Sequence, residues 1–124
     1  MAGVVGVGGL FVKTADIEAW KDWYRRVLGL TLEDFGGAVF QHPSIGHTLI
    51  AAFPDDSDYF APSPHAVMIN LIVDDLDGVL ARAAEAGETP LSRDDGEYGR
   101  FAHLVDPAGV KVELWQPPAK SPAP

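Results

Sequence analysis

The 124-residue sequence contains no cysteine. That excludes a disulfide framework, a thiolate zinc site, an iron–sulfur cluster and a thiol nucleophile. Cationic side chains are scarce, nine Lys and Arg against 18 Asp and Glu, for a formal net charge of −9. Nucleic acids and anionic membrane surfaces are both held by basic side chains, so neither partner is expected. No stretch approaches the roughly 18 apolar residues of a membrane span. The apolar start, Met1 to Val12, lacks a leading basic residue and a small-residue cleavage pattern. It does not read as a signal peptide, and the cytoplasm is the expected address. What the chain does have is apolar content, 47%, the composition of a folded domain with a modest core. Its acidity keeps it soluble and would draw in a cationic small molecule.

Punctuation along the chain divides it into two similar halves. Val4 to Thr14 is β-branched and glycine-rich, a strand by composition. Asp16 offers an N-cap, and Ile17, Trp20, Tyr24, Val27 and Leu28 form one helical stripe that Gly29 closes. Trp23 falls off that stripe and reads as a surface or interface aromatic. Strands are expected at Leu30–Asp34, Ala38–His42 and Thr48–Phe53. The stretch Pro54 to Pro64, PDDSDYFAPSP, reads as a loop. It holds Asp55, Asp56 and Asp58 beside Tyr59 and Phe60, which over a pocket mouth would attract a cation and cover an aromatic ligand. The order then recurs. His65–Val73 is a strand, Asp75 a cap, and Leu76, Val79, Leu80, Ala83 and Ala84 a helix stripe closed by Gly87. Further strands are expected at Glu88–Ser92, Gly99–Val105 and Val110–Trp115, with Asp106-Pro-Ala-Gly109 as the last turn. The expectation is an α+β fold of two βαβββ units in one domain over 1–117. Unit one spans about 4–54, a linking loop 55–64 and unit two about 65–117; 118–124 is a proline-rich, mobile tail.

Two such units resemble the vicinal oxygen chelate superfamily, the glyoxalase, bleomycin-resistance and extradiol-dioxygenase group. The resemblance is carried by FVKTADIEAWKDWYRRVLGL (Phe11 to Leu30), by Val73-Asp-Asp-Leu-Asp77 and by YGRFAHLVDPAGVKVELWQP (Tyr98 to Pro117). It implies a curved mixed sheet in each unit, a half-barrel with helices on its convex face and a ligand or metal in its concave one. Metal-using relatives take His or Gln from the first strand of a unit and Glu from its last. Those positions here are Gly9, Ala51, Met68 and Glu113, and Glu113 alone suits a hard divalent ion. The usual metal site is therefore expected to be absent, and no cofactor is expected. Bleomycin-resistance relatives bind a cationic drug without a protein-held metal, in grooves at a dimer interface, which implies a homodimer.

Strand alternation assigns faces. Ile69, Leu71, Val73, Val112 and Leu114 suit the core. Met68, Asn70, Ile72, Lys111, Glu113 and Trp115 then face the concavity, and Phe11 does so in the first unit. The expected pocket is Phe11, Phe53, Met68, Asn70, Ile72, Glu113 and Trp115, a largely apolar small-molecule site. Its ligand would be cationic or aromatic. Glu113 is the candidate catalytic residue, a general base or a ligand's hydrogen-bond acceptor. Of His42, His47, His65 and His103, His103 is the serious ligand candidate because its strand forms a hairpin with that of Glu113; its facing is open. The glycines of the first strand do not form a dinucleotide fingerprint, since Phe11 stands at the final glycine position. Three readings stand: a metal-independent binding protein, a divergent metal-dependent lyase or dioxygenase using Glu113 with relocated histidines, and an inert assembly module.

Overall fold

A computed structural model describes residues 10, 12–41, 46–48 and 52–119. Helix α1 spans Ile17–Leu28 and begins where expected: the Asp16 carboxylate accepts the Ala19 N–H. Gly29 ends it in the left-handed region at φ 72°, its N–H bonded back to the last turn. Strand β1 is Met68–Ile72, helix α2 is Leu76–Glu85, and Asp75 caps α2 as Asp16 caps α1. Strands β2 (Ser92–Gly96), β3 (Gly99–Val105) and β4 (Lys111–Gln116) complete a four-stranded mixed sheet of order β1-β4-β3-β2. β1 lies parallel to β4, while β4, β3 and β2 run antiparallel in turn. This α+β arrangement is one βαβββ unit.

Both helices cover one face of the sheet. Trp23, Tyr24, Val27 and Leu28 of α1 and Leu76 and Ala83 of α2 pack with Ala102, Leu104, Val112 and Leu114. At about 25 cal/mol per Å² of apolar surface, this shared layer is the main source of stability. Trp23 corrects the expectation of a surface aromatic. It is 5% exposed, with its indole N–H donating to Glu88 3.1 Å away, because α2 and the chain after it wrap the side of α1. Ile17 goes the other way: at the first turn of α1 it projects beyond the core and is exposed.

The Asp106-Pro-Ala-Gly109 turn fixes the β3–β4 register. The Asp106 carboxylate is buried, accepting the N–H groups of Ala108 (2.8 Å) and Val110 (3.0 Å) on one oxygen and the Tyr24 hydroxyl (2.8 Å) on the other. Gly109 stands at φ 81° and its N–H returns to the Asp106 carbonyl. One side chain thus closes the hairpin and ties it to α1.

Other expectations are corrected. The strand expected at Glu88–Ser92 begins instead at Ser92, because Pro90 has no N–H to give a ladder. β2 is an exposed, charged edge strand reaching the two-residue turn at Glu97 and Tyr98. In the first half, no described residue of Leu30–Asp34, Ala38–Gln41 or Thr48–Phe53 lies in a strand. A turn closed by Glu33 N–H to Gly37 C=O, 2.8 Å, takes the place of the first two. A lone hairpin buries too little to persist, and here Phe35, Val39 and Phe40 remain exposed. A second complete βαβββ unit is therefore not present among the described residues. Most of the first strand, with Gly9 and Phe11, and also His42 and Ala51, lies outside them.

Candidate functional site

The face opposite the helices carries a polar row across the whole sheet. Ser92 of β2 is in register with His103 of β3, His103 with Glu113 of β4, and Glu113 with Asn70 of β1. Registered neighbours point to the same side. Each step of the row is hydrogen-bonded. The Asn70 amide donates to Glu113 Oε1 at 2.7 Å, and His103 Nε2 lies 2.7 Å from Glu113 Oε2. Ser92 Oγ lies 2.9 Å from His103 Nδ1. With Glu113 ionised and the imidazole neutral, Nε2–H donates to the carboxylate and Nδ1 accepts from the serine hydroxyl. The structure thus places His103 on the face of Glu113, the orientation that the sequence leaves open.

Glu113 is the electrostatic centre. It is 7% exposed, and burial alone pushes its carboxyl upward. Hydrogen bonds from His103, Tyr59 and Asn70 outweigh burial and hold it below the ordinary glutamate range. The Tyr59 hydroxyl comes from the loop before β1, donates to Glu113 Oε2 and lies 3.3 Å from His103 Nε2. Burial first, then the bond to Glu113, raises its pKa far above that of a free phenol. Lys111, on the same strand face, donates to the Tyr59 carbonyl at 2.6 Å and sits 5.3 Å from the ring centre.

The next row is aromatic. Trp115 is in register with Phe101, and the rings stack 6.3 Å apart at 10°. The Trp115 indole N–H donates to the Tyr98 carbonyl at 2.8 Å, and His47 meets the ring edge-on. Ile72 continues this row on β1. Of the expected pocket, Met68, Asn70, Ile72, Glu113 and Trp115 share the sheet face. Phe53 joins from the loop, stacked on Tyr59 at 5.5 Å, and Phe11 lies outside the described residues. Sequence reasoning missed Ser92, Phe101 and the inward turn of Tyr59's hydroxyl. Phe101 was accessible in principle, since the register fixed by the Asp106 turn sets it opposite Trp115, whereas Ser92 follows from the separate β2–β3 hairpin.

Among the described residues, two cavities lie beside this face. One of about 710 Å³ opens beside the outer edge of β1, between Asn70, Ile72 and the segment holding Leu30, Val39 and Phe40. The other, about 420 Å³, lies within the loop from Ala52 to Ala66. Glu113 lies behind the Tyr59 hydroxyl and lines neither.

Among the described residues, the donors on this face do not fit the metal that the fold implies. Glu113 and His103 are the ligand-type groups brought together, and each carboxylate oxygen and ring nitrogen already has a protein partner. Among the described residues, no three His, Asp or Glu side chains converge on one point. A zinc site needs three or more such donors.

A helix-backed mixed sheet with a polar and aromatic opposite face defines the class, an α+β domain built on the βαβββ unit. The Glyoxalase/Bleomycin resistance protein/Dioxygenase superfamily matches residues 7–114, and the chain belongs to it. Among solved structures it is similar to TnmS3, an antibiotic binding protein from Streptomyces sp. CB03234, at 24% identity and TM-score 0.61, covering 95% of this chain and 100% of that one. A glyoxalase/bleomycin resistance protein from the same Streptomyces is 25% identical, with TM-score 0.53 over 85% of this chain and 95% of the other. A glyoxylase/bleomycin resistance protein/dioxygenase domain from Frankia sp. EAN1pec reaches TM-score 0.59 at 15% identity, over 94% and 100%. No curated protein matches the chain.

Proposed function

We propose that this chain binds a small organic molecule on the face carrying Glu113, without a metal at the superfamily's usual positions. The observation that carries this reading is the fully partnered row Ser92–His103–Glu113–Asn70 beside the Phe101–Trp115 stack. A buried ionised carboxylate gives one strong, directed acceptor, and the aromatic row gives area; few polar groups among apolar walls is the make-up of ligand sites. Exposed Asp55, Asp56 and Asp58 and a net charge of −9 draw a cationic ligand toward the face. TnmS3, a neighbour in fold, is an antibiotic binding protein.

The site closes in a homodimer in this reading, and the cavity beside Val39 and Phe40 then lies near the interface. The 2.7 Å His103–Glu113 pair favours a second reading, a divergent metal-dependent lyase or dioxygenase with Glu113 as ligand or base, which needs a further donor. Elemental analysis after dialysis against Zn, Ni, Mn and Fe separates the two. Well under one ion per chain is expected. About one tightly held ion, lost in Glu113→Ala, would establish the metal-dependent reading instead. Ligand-dependent melting separates binding from an inert module, which no small molecule would stabilise.

A further inference from the structure

Glu113 is satisfied by the sheet alone. Asn70 occupies one carboxylate oxygen and His103 the other, both from registered neighbouring strands. The Tyr59 hydroxyl is an additional donor on that second oxygen, and it arrives from a different kind of place. Its loop, Pro54 to Pro64, has no strand or helix, and Tyr59 is 38% exposed although its hydroxyl reaches a buried carboxylate. The loop is tethered behind Tyr59, where Ser63 donates to the Gly109 carbonyl and His65 Nε2 donates to that of Ala108 at 3.0 Å. Ahead of it the contacts are softer: a stack on Phe53, itself half exposed, and one Lys111 bond to the backbone.

Each of these features suits a group that leaves. From them, and resting on the binding reading above, we infer that the Tyr59 phenol is an internal surrogate for a hydroxy-aromatic ligand. Such a ligand displaces Tyr59, donates its ring hydroxyl to Glu113 Oε2 beside His103 Nε2–H, and lays its ring toward the Phe101–Trp115 row. The chemistry supports this assignment. An ionised carboxylate accepts strongly from an O–H and has nothing to offer an ether or ketone oxygen. His103 Nε2–H stays committed to the same carboxylate oxygen, so what the site matches is the proton of a phenol. Exchange of one phenol for another leaves the Glu113 bonds equal in number, so displacement costs the loop contacts and the Tyr59 ring's contacts with Phe53, His103 and Lys111. A ligand without the hydroxyl would leave the second oxygen of Glu113 with His103 alone, one donor fewer than it has with Tyr59 in place.

The test uses 2-naphthol and 2-methoxynaphthalene, which differ in that single donor, with Trp115 fluorescence and calorimetry as readouts. Expected for the wild-type chain is binding of 2-naphthol about tenfold or more tighter than the methyl ether, the worth of one hydrogen bond to a charged group. Tyr59→Phe removes the competing hydroxyl and keeps the ring, and it should tighten 2-naphthol by about three- to tenfold with the ether unchanged. Glu113→Gln should erase the preference for the hydroxyl. Equal binding of both probes, or a Tyr59→Phe variant that binds 2-naphthol no better, overturns the inference while leaving a small-molecule site in place. No binding of 2-naphthol to the wild type or to a melting-competent Tyr59→Phe variant also overturns it. The binding reading itself falls separately, if no compound of any class raises the melting temperature.

Discussion

At the residue scale, two buried acidic groups divide the labour. Asp106 is structural, since its three hydrogen bonds close a turn and anchor α1. Glu113 serves the open face. The sign of its pH effect follows from its depressed pKa. Its contribution to stability is present above the unfolded value of about 4.3 and is lost as pH falls through the folded value. Glu113→Gln should cost about 1–3 kcal/mol near neutrality, because three donors lose their anionic partner. The gap between wild type and variant in urea unfolding should then narrow below about pH 4. A gap constant from pH 7 to pH 3 would mean that the carboxylate is not the group holding the row. Tyr24 behaves with the opposite sign. It is 2% exposed, and burial and Asp106 push its pKa well above the ordinary tyrosine range. Its contribution is whole below about pH 10 and lost above it. Tyr24→Phe should lower stability by about 1.5–3 kcal/mol at pH 7 and lose less on going to pH 11 than the wild type does. An equal alkaline loss in both would assign that limb to other groups.

At the element scale, the parts legible in the sequence are those decided by local chemistry. Asp16 and Asp75 cap their helices, Gly29 ends α1, and the Asp106 turn sets β3 against β4. Alternation along β4 separates Val112 and Leu114, which pack under the helices, from Glu113 and Trp115, which meet His103 and Phe101 on the other face, and a slip of one residue would invert the two sets. What was not legible depends on distant neighbours. The strands expected after Gly29 have a suitable composition, but a ladder requires a partner strand that their own sequence does not contain. Trp23 lies off the helix stripe, and Glu88, 65 residues away, decides its burial. The β2–β3 hairpin offers a test at this scale. Gly99 stands at φ 123°, and a Cβ there would come 2.3 Å from the Gln116 carbonyl and 2.9 Å from Trp115 Nε1. Both the left-handed φ and the contact oppose any side chain. Gly99→Ala should destabilise the fold by about 2 kcal/mol or more, in the range of strained or overpacked sites. It should also shift Trp115 emission, since the Tyr98 carbonyl that holds the indole moves with the turn. A variant with wild-type melting and emission would show that the hairpin can relax at no cost.

At the scale of the whole molecule, the apolar surface is unevenly distributed. Phe35 is 75% exposed, Phe40 67% and Val39 66%, all in the segment after α1, and Val39 and Phe40 line the cavity at the β1 edge. Large clustered apolar side chains at a sheet edge mark an association surface. A second copy of this chain is the occupant expected of it. Two copies carry −9 each, so association works against a repulsion that salt screens. Sedimentation at micromolar concentration should therefore give a species of twice 13.3 kDa, and added salt should tighten it. Phe40→Asp places a charge in the cluster and should shift the population toward the protomer. The melting temperature of the wild type, and not of that variant, should rise with protein concentration, as mass action requires of an associated native state. A single species near 13.3 kDa at every concentration and salt would sink the dimer. Phe40 and Val39 would then be no more than lining of the cavity that they share with Ile72 in one chain.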